Sequence, residues 1–168
     1  MDRIGVFRVS RAKPADAEAV AAFVGKATRG RVSVVPRAVV ERFGLKGLWL
    51  VRDGSGEIVA LAGWRAENLI ARIDDFLVYP LNLYTTAGKL LIDKIEKAAF
   101  ELQCEVCMLF MPVSALPTIV SFCESCGYRR PEPEELPRVW QETVQEATDL
   151  GRFILLKQLR QDLVLRPI

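Results

Sequence analysis

The chain has 168 residues, of which 51% are hydrophobic, and a formal net charge of +2. This length suits one domain with a substantial core, and the balanced charge gives no reason to expect a nucleic-acid-binding protein or a disordered tail. The absence of histidine excludes Ser-His-Asp and Cys-His nucleophile systems and histidine-ligated metal sites within the chain. No apolar run is long enough for a membrane span or typical of a signal peptide, so we expect a cytoplasmic protein with reduced cysteines.

The first half of the sequence predicts a strand, two helices and a hairpin. Alternating polarity indicates the strand, Pro14 and Pro36 open the two helices, and Gly25 ends the first of them. Asp53-Gly54-Ser55-Gly56 is typical of a hairpin turn between apolar strands. The predicted elements are a strand at 7–10, helices at 14–25 and 36–44, and strands at 48–51 and 58–62.

The second half predicts three more strands and two longer helices. Apolar residues recur with helical spacing after Gly88, and the opposite, charged face of this helix includes Asp93, Glu96 and Lys97, of which Asp93 and Lys97 are spaced as an ion pair. Residues 129–151 have the least regular pattern and are predicted to form an elaborated loop. The predicted elements are strands at 69–78, 106–111 and 153–156, a helix after Gly88 with Leu91, Ile95, Ala98, Ala99 and Leu102 inward, and a helix at 117–127.

Residues 78–89 form the most informative stretch of the sequence. It reads Val-Tyr-Pro-Leu-Asn-Leu-Tyr-Thr-Thr-Ala-Gly-Lys and joins a predicted strand to a predicted helix. Such a junction aims backbone N–H groups and the positive end of the helix dipole at one point, which can bind phosphate without a basic side chain. The stretch resembles the acetyl-CoA loop of the GNAT N-acetyltransferases, V-x-P-x-x-[QR]-x-x-G-x-[GA]. Val78, Pro80 and Gly88 match the pattern, whereas Leu83 replaces the Gln or Arg and Thr86 replaces the first Gly.

Three further segments carry the same resemblance. Residues 8–19, with 11–16 in register, are similar to the family's opening R-x-A-x-x-x-D, and residues 122–128 are similar to its F-Y-E-x-x-G-F. Residues 135–140 resemble the E-L-P-x-K-V-W segment of short bacterial N-acetylglutamate synthase-like members. The resemblance covers nearly the whole chain and implies an α/β (α+β) GNAT acyl-CoA N-acyltransferase fold. We therefore expect one domain over 1–168, with a mixed sheet of six to seven strands, about four helices and the irregular segment 129–151. The order of the motifs predicts that the strands ending at Val78 and Met111 are parallel.

The resemblance also implies where acetyl transfer takes place. The acceptor amine loses a proton, commonly to a carboxylate, and the adjacent Asp74 and Asp75 are the candidates on the strand that leads into the loop. Strand alternation sends the two carboxylates to opposite faces, and Asp75 is preferred because it lies nearer the loop. Ion pairs with Arg65 or Arg72 are the alternative role for these carboxylates. The backbone N–H of Leu77 or Val78 is expected to polarise the thioester carbonyl.

The remaining site residues follow from the same motifs. Thr85 and Thr86 have hydroxyl donors for the pyrophosphate, although either also suits a plain helix cap. Cys123 stands where the family has the tyrosine that protonates the leaving thiolate, and it is either that acid or a core residue. The residues expected to contact acetyl-CoA are Phe76, Leu77, Val78, Leu83, Thr85, Thr86, Ala87, Gly88 and Lys89.

The implied function is transfer of an acetyl group from acetyl-CoA to the amine of a small molecule or amino acid. The alternative is a non-catalytic GNAT-like module that binds acyl-CoA or a partner subunit, because several motif residues are replaced. The high apolar fraction predicts a homodimer, and no nucleic acid or membrane partner is expected.

The four cysteines allow a different interpretation. They form two pairs, Cys104-x-x-Cys107 and Cys123-x-x-Cys126, a spacing that fits a Cys₄ zinc site in a zinc-stabilised interaction domain. However, Cys123 and Cys126 recur with Ile119 and Phe122 at helical spacing, and the spacer contains an apolar strand. We therefore favour buried core cysteines and no bound metal, with zinc and a redox pair as the alternatives.

Overall fold

A computed structural model describes residues 3, 4, 6–33, 35–42 and 47–161. This part of the chain contains seven strands, which lie in the sheet in the same order as in the sequence, and five α-helices. The strands are β1 (Arg3–Ile4), β2 (Phe7–Arg11), β3 (Gly47–Arg52), β4 (Ile58–Glu67), β5 (Ile70–Val78), β6 (Val106–Pro112) and β7 (Arg152–Gln158). The helices are α1 (Ala17–Ala27), α2 (Pro36–Arg42), α3 (Lys89–Glu101), α4 (Pro117–Ser125) and α5 (Arg138–Asp149).

The mixed sheet confirms the predicted fold class. None of the helices in the described part of the chain is long and apolar enough to cross a membrane. The predicted end of the second helix at Gly44 lies outside the described residues. The chain divides into two compact units, Met1–Arg65 with Asp75–Ile95 (the first unit) and Ala66–Asp74 with Glu96–Ile168 (the second unit).

The first unit contains an antiparallel meander with helices α1 and α2. β2 pairs with β3 and β3 pairs with β4, and the predicted turn at Asp53 joins β3 to β4. The Asp53 carboxylate accepts backbone N–H bonds from Ser55 (2.9 Å) and Glu57 (3.0 Å), which fixes this turn. A buried cluster holds the unit together, formed by Ala17, Val20, Phe23, Val24, Val39, Leu48, Leu50, Ile58 and Leu61.

Helix α1 does not end at Gly25 as predicted. A 3-10 turn at Pro14–Asp16 precedes it, and the helix continues to Ala27. A Cβ added at Gly25 would meet nothing within 4 Å, so this glycine is tolerated inside the helix and does not end it. The chain instead leaves the helix at Thr28, Arg29 and Gly30.

The second unit is built around β6, which lies between β5 and β7. Ile70–Ile73 of β5 pair in parallel with Val106–Leu109 of β6, as the element order predicted. β7 is antiparallel to β6 along its whole length. The side chains of these strands pack with Leu136, Trp140 and Ala147 in a second buried cluster.

The segment 129–151 is not the irregular loop that was expected. It contains a 3-10 turn at Pro133–Glu135 and the twelve-residue helix α5. Trp140, Thr143 and Ala147 are its buried residues, and they are spaced at i, i+3 and i+7 on one face. The sequence pattern was missed because one of the three inward positions is a threonine and the rest of the helix is highly polar.

Helix α3 also departs from its predicted pattern at two points. Leu91, Ile95 and Ala99 are buried as expected, but Leu102 follows the end of the helix and is 59% exposed. Asp93 forms its ion pair with Lys89, one turn before it, and not with Lys97 as predicted.

Candidate functional site

The predicted acetyl-CoA loop is wound into helical turns. A 3-10 turn at Leu81–Leu83 and a π-helical turn at Tyr84–Gly88 run directly into α3. The Leu83 N–H donates to the Pro80 carbonyl oxygen at 3.0 Å, so helical winding begins at Leu81 and not at Gly88. The positive end of the helix dipole therefore lies earlier in the chain than the motif suggested. Single π-turns inserted in helices are frequent at functional sites.

Gly88 has a packing role in this loop. A Cβ added to it would lie 3.3 Å from Tyr84 Cδ1, 3.3 Å from Val78 Cγ2 and 3.6 Å from Phe76 Cζ. The Phe76 and Tyr84 rings themselves meet edge to face, with centroids 5.5 Å apart. Because the missing side chain faces protein atoms, Gly88 lets the start of α3 pack closely against the end of β5.

The other residues expected to contact acetyl-CoA differ in exposure. Thr85 and Thr86 are exposed, and the Thr86 hydroxyl donates to the Leu83 carbonyl oxygen at 3.3 Å. Leu83 and Lys89 are half-buried, and Lys89 is the partner of Asp93. Ala87 is fully buried. Thr85 and Thr86 are thus the exposed side chains among these residues, and their contact with phosphate stays a prediction.

β5 has an irregular backbone at Asp75, the carboxylate expected to act as the base. Asp75 has a φ of 52°, in the left-handed region that residues other than glycine rarely adopt. The residues from Asp74 to Leu77 are all half-buried, so burial does not assign Asp74 and Asp75 to faces of the sheet, and their expected opposite orientation stays a prediction. Such backbone strain is concentrated at functional sites. Asp75 therefore gives β5, which continues to Val78, a local backbone irregularity at the carboxylate expected to act as the base.

Arg72, considered as an ion-pair partner for these carboxylates, has other partners in the second unit. Its guanidinium lies 2.8 Å from a Glu146 carboxylate oxygen and 3.5 Å from one of Glu67. It also lies over the Phe110 ring, 4.6 Å from the centroid. These contacts link β5 and β6 to α5.

Cys123 is poorly suited to protonate a thiolate. It lies in α4 with 1% of its surface exposed. Burial, with smaller effects of Cys126 and Glu124, raises the pKa of the Cys123 thiol to about 12. A group with so high a pKa gives up its proton less readily than an ordinary thiol with a pKa near 9. Its burial and pKa favour the core role.

All four cysteines are free and buried. Burial raises the pKa of Cys104, and it raises the pKa of Cys107 to about 12. Zinc binds thiolates, so raised pKa values oppose zinc binding. Within the described ranges, no group of three or more Cys, Asp or Glu side chains is arranged to hold a metal ion. That the protein binds no zinc remains a prediction.

The sequence did not indicate a buried polar cluster in the second unit. Glu96, predicted on the charged face of α3, has only 14% of its side chain exposed. Its carboxylate accepts hydrogen bonds from the Tyr128 hydroxyl at 2.9 Å and the Lys157 ammonium at 2.8 Å. Burial, followed by the nearby Cys107 and Glu96, raises the pKa of Tyr128 well above its ordinary value. The cluster ties α3 to β7 and to the chain after α4.

No protein-family model matches the sequence, and no curated protein is significantly similar to it. Solved structures do match. A GNAT-family acetyltransferase from Staphylococcus aureus aligns with a TM-score of 0.71 at 15% identity, over 92% of this chain and 99% of that one. YncA from Salmonella typhimurium, crystallised with its cofactor acetyl-CoA, aligns with a TM-score of 0.69 at 12% identity, over 98% and 100%.

N-acetylglutamate synthase from Neisseria gonorrhoeae, in complex with coenzyme A and N-acetylglutamate, is a further match. The TM-score is 0.69 at 14% identity, over 95% of this chain but 36% of the longer one. Likeness at such low identity establishes architecture. The chain therefore has the fold of the GNAT N-acetyltransferases.

Proposed function

We propose that the protein is an N-acyltransferase that moves an acetyl group from acetyl-CoA to the amine of a small molecule or amino acid. The observation that carries this proposal is the left-handed φ of Asp75 near the end of β5, shortly before the helically wound loop that begins at Leu81. Irregular strand backbone near a helix start can offer backbone N–H groups to a thioester and to phosphates. The likeness to structures that contain CoA or acetyl-CoA supports the same ligand.

In the proposed reaction the acceptor nitrogen attacks the thioester carbonyl carbon while Asp75 takes the proton of the amine. The C–N bond forms and the C–S bond breaks, and the backbone N–H of Leu77 or Val78 stabilises the oxyanion. The CoA thiolate leaves and takes its proton from water, because Cys123 is buried and its pKa is raised to about 12. Asp74 is the second carboxylate on the strand.

In the proposed cofactor site, phosphate contacts come from the wound loop. Thr85 and Thr86 are the exposed residues of this loop. The Leu83 and Lys89 N–H groups already donate within the wound loop and Ala87 is fully buried, so the surface at Thr85 and Thr86 would meet the phosphates first. Phe76 and Gly88 pack together with Tyr84 and support this loop.

A non-catalytic module is the second candidate. It is favoured by Leu83, which is half-buried and apolar at the position where the family has a polar phosphate contact. The N-acyltransferase predicts CoA binding and turnover, whereas the non-catalytic module predicts either CoA binding without turnover or binding of a partner subunit.

The decisive experiment compares Asp75→Asn with Asp74→Asn. Asparagine tolerates left-handed backbone well, so Asp75→Asn removes the base and keeps the strand geometry. We expect Asp75→Asn to lower kcat by about 10²- to 10⁴-fold, with CoA affinity unchanged, and Asp74→Asn to have a much smaller effect. Thiol release measures turnover, and calorimetric titration measures CoA binding. CoA binding without turnover on any amine would favour the non-catalytic module, and no binding at millimolar CoA would reject the acyltransferase and leave a module that binds a partner subunit.

A further inference from the structure

The turn that follows α1 is rigidly built. Thr28 is buried, and its hydroxyl donates to the Val24 carbonyl oxygen at 2.7 Å and accepts from the Val32 N–H at 3.1 Å. The Arg31 Nε–H donates to the Thr28 carbonyl oxygen at 3.1 Å. These bonds hold the chain after the helix in one conformation.

Arg29 stands at a position that normally selects glycine. The Gly30 N–H donates to the Gly25 carbonyl oxygen at 2.7 Å, and the Arg29 N–H donates to the Lys26 carbonyl oxygen at 3.2 Å. This pattern is a Schellman helix end, in which the left-handed residue is usually glycine. Arg29 is that residue, with a φ of 53°. Glycine would suit this backbone better than arginine, so helix termination alone does not favour an arginine here.

Arg29 belongs to a concentrated positive surface. Lys26, Arg29 and Arg31 are all exposed, and the sequence contains no Asp or Glu between Ala19 and Val40. A cation in the last turn, such as Lys26, commonly stabilises the helix dipole. That effect falls off beyond the last turn and does not account for the two arginines that follow the helix.

This positive surface lies beside the end of β5. The Lys26 ammonium is 5.2 Å from the centroid of the Tyr79 ring, and Tyr79 immediately follows β5. Ala27, Leu77 and Tyr79 pack against the same buried cluster of the first unit. The end of α1 is therefore next to the backbone at which we propose that the thioester is polarised.

We propose that Lys26, Arg29 and Arg31 bind an anionic group of the acceptor, so that the preferred acceptors are amines that carry a carboxylate or phosphate. This inference rests on the proposed acetyl transfer. Arginine binds carboxylates and phosphates through paired N–H donors, and charge-assisted bonds of this kind are strong. The same surface repels polyamines. The phosphates of CoA are a second source of the same anionic chemistry, and the test distinguishes the two sources.

The test compares Arg29→Gly and Arg31→Gln with Arg37→Gln as the control. Arg37 is a highly exposed arginine on α2 that is paired with Glu41 at 3.6 Å. Turnover is measured by thiol release with amino acids and with the matching amino acid amides, which lack the carboxylate. We expect both test variants to raise KM for the amino acids by about tenfold or more at similar kcat, with little change for the amides or in the control.

A stability measurement separates recognition from structure at Arg29. Because glycine suits the left-handed position better, Arg29→Gly should raise Tm by about 2 °C while it weakens acceptor binding. Loss of both stability and turnover would indicate a structural role and overturn the proposal.

The remaining outcomes are distinct. If the variants raise KM equally for acids and amides, the inference fails and the proposed function stands. If they weaken binding of CoA but not of dephospho-CoA, the anion belongs to the cofactor and the acceptor assignment is overturned. If no amine of any class is acetylated by the parent, the proposed function fails and this inference fails with it.

Discussion

Two helix termini in the first unit differ in how well their residue type suits the local structure. One is the end of α1 at Arg29, and the other is the start of α3 at Gly88. Arg29 adopts a φ of 53°, where glycine would be unstrained. Gly88 has no left-handed φ, and its missing side chain makes room for Tyr84, Val78 and Phe76. Local packing explains why position 88 is a glycine, whereas the backbone conformation at position 29 disfavours an arginine. Residues that conflict with local rules are the ones most often kept for function, so Arg29 directs attention to recognition and Gly88 to stability.

The largest effect expected from this difference is at Gly88. Gly88→Ala places a methyl group 3.3 Å from both Tyr84 and Val78, so we expect the free energy of unfolding to fall by about 1–3 kcal/mol. Gly25→Ala is the matched control, because its Cβ would meet nothing within 4 Å inside α1. That variant should gain about 0.5–1 kcal/mol. Denaturant unfolding measures both, and equal stability of the two variants would contradict the packing role.

The cysteines provide a case in which burial decides between interpretations. In the unfolded chain the thiols have an ordinary pKa near 9, whereas in the folded protein the pKa of Cys107 and of Cys123 is about 12. Above pH 9 the unfolded state therefore loses protons first. Stability is fully present below pH 9 and falls as the pH rises toward 12, with a slope of up to about 1.4 kcal/mol per pH unit for each thiol.

Cys123→Ala tests this dependence. It removes one titrating thiol and should reduce the slope of stability against pH above pH 9 by up to about 1.4 kcal/mol per pH unit. Unfolding curves between pH 8 and 11 provide the measurement. Exposed Ser33 offers a control, because Ser33→Ala removes no titrating group and should leave the slope unchanged. A parent protein whose stability is constant over this range would show that the thiols are not buried in the folded state.

Most of the fold could be predicted because it depends on patterns along the chain. Apolar runs and the order of strands and helices were sufficient for the parallel pairing of Ile70–Ile73 with Val106–Leu109. Helix α5 was missed because Thr143 interrupts the apolar face that Trp140 and Ala147 define. The sequence signals for helix ends were also incomplete. Gly25 alone does not end α1, which continues to Ala27 and has its C-cap at Thr28.

The sequence predicted which segment forms the candidate site but not the backbone geometry of that segment. The motif located the loop between Val78 and Lys89, but motif letters do not report that helical winding begins at Leu81. Strand alternation assumes an ordinary backbone, and the left-handed Asp75 departs from it. The contact between Lys26 and Tyr79 joins residues far apart in sequence, so only a folded chain reveals the positive surface beside β5.

The smallest expected effects are at the two positions where the loop departs from the family pattern. Leu83 is half-buried and Thr86 is exposed, so neither replacement should disturb the core as Gly88→Ala does. Leu83→Arg adds a cation and should tighten CoA binding by a few-fold, more at low salt than at high salt, because screening weakens an exposed charge. Thr86→Gly removes a hydroxyl that donates to the Leu83 carbonyl oxygen and lets the backbone approach the phosphates, so CoA affinity should hold or improve slightly. Calorimetric titration of both variants against the parent, at two salt concentrations, gives the measurement. If Leu83→Arg has no effect at either salt concentration, residue 83 does not face the phosphates and the wound loop binds CoA through its backbone alone.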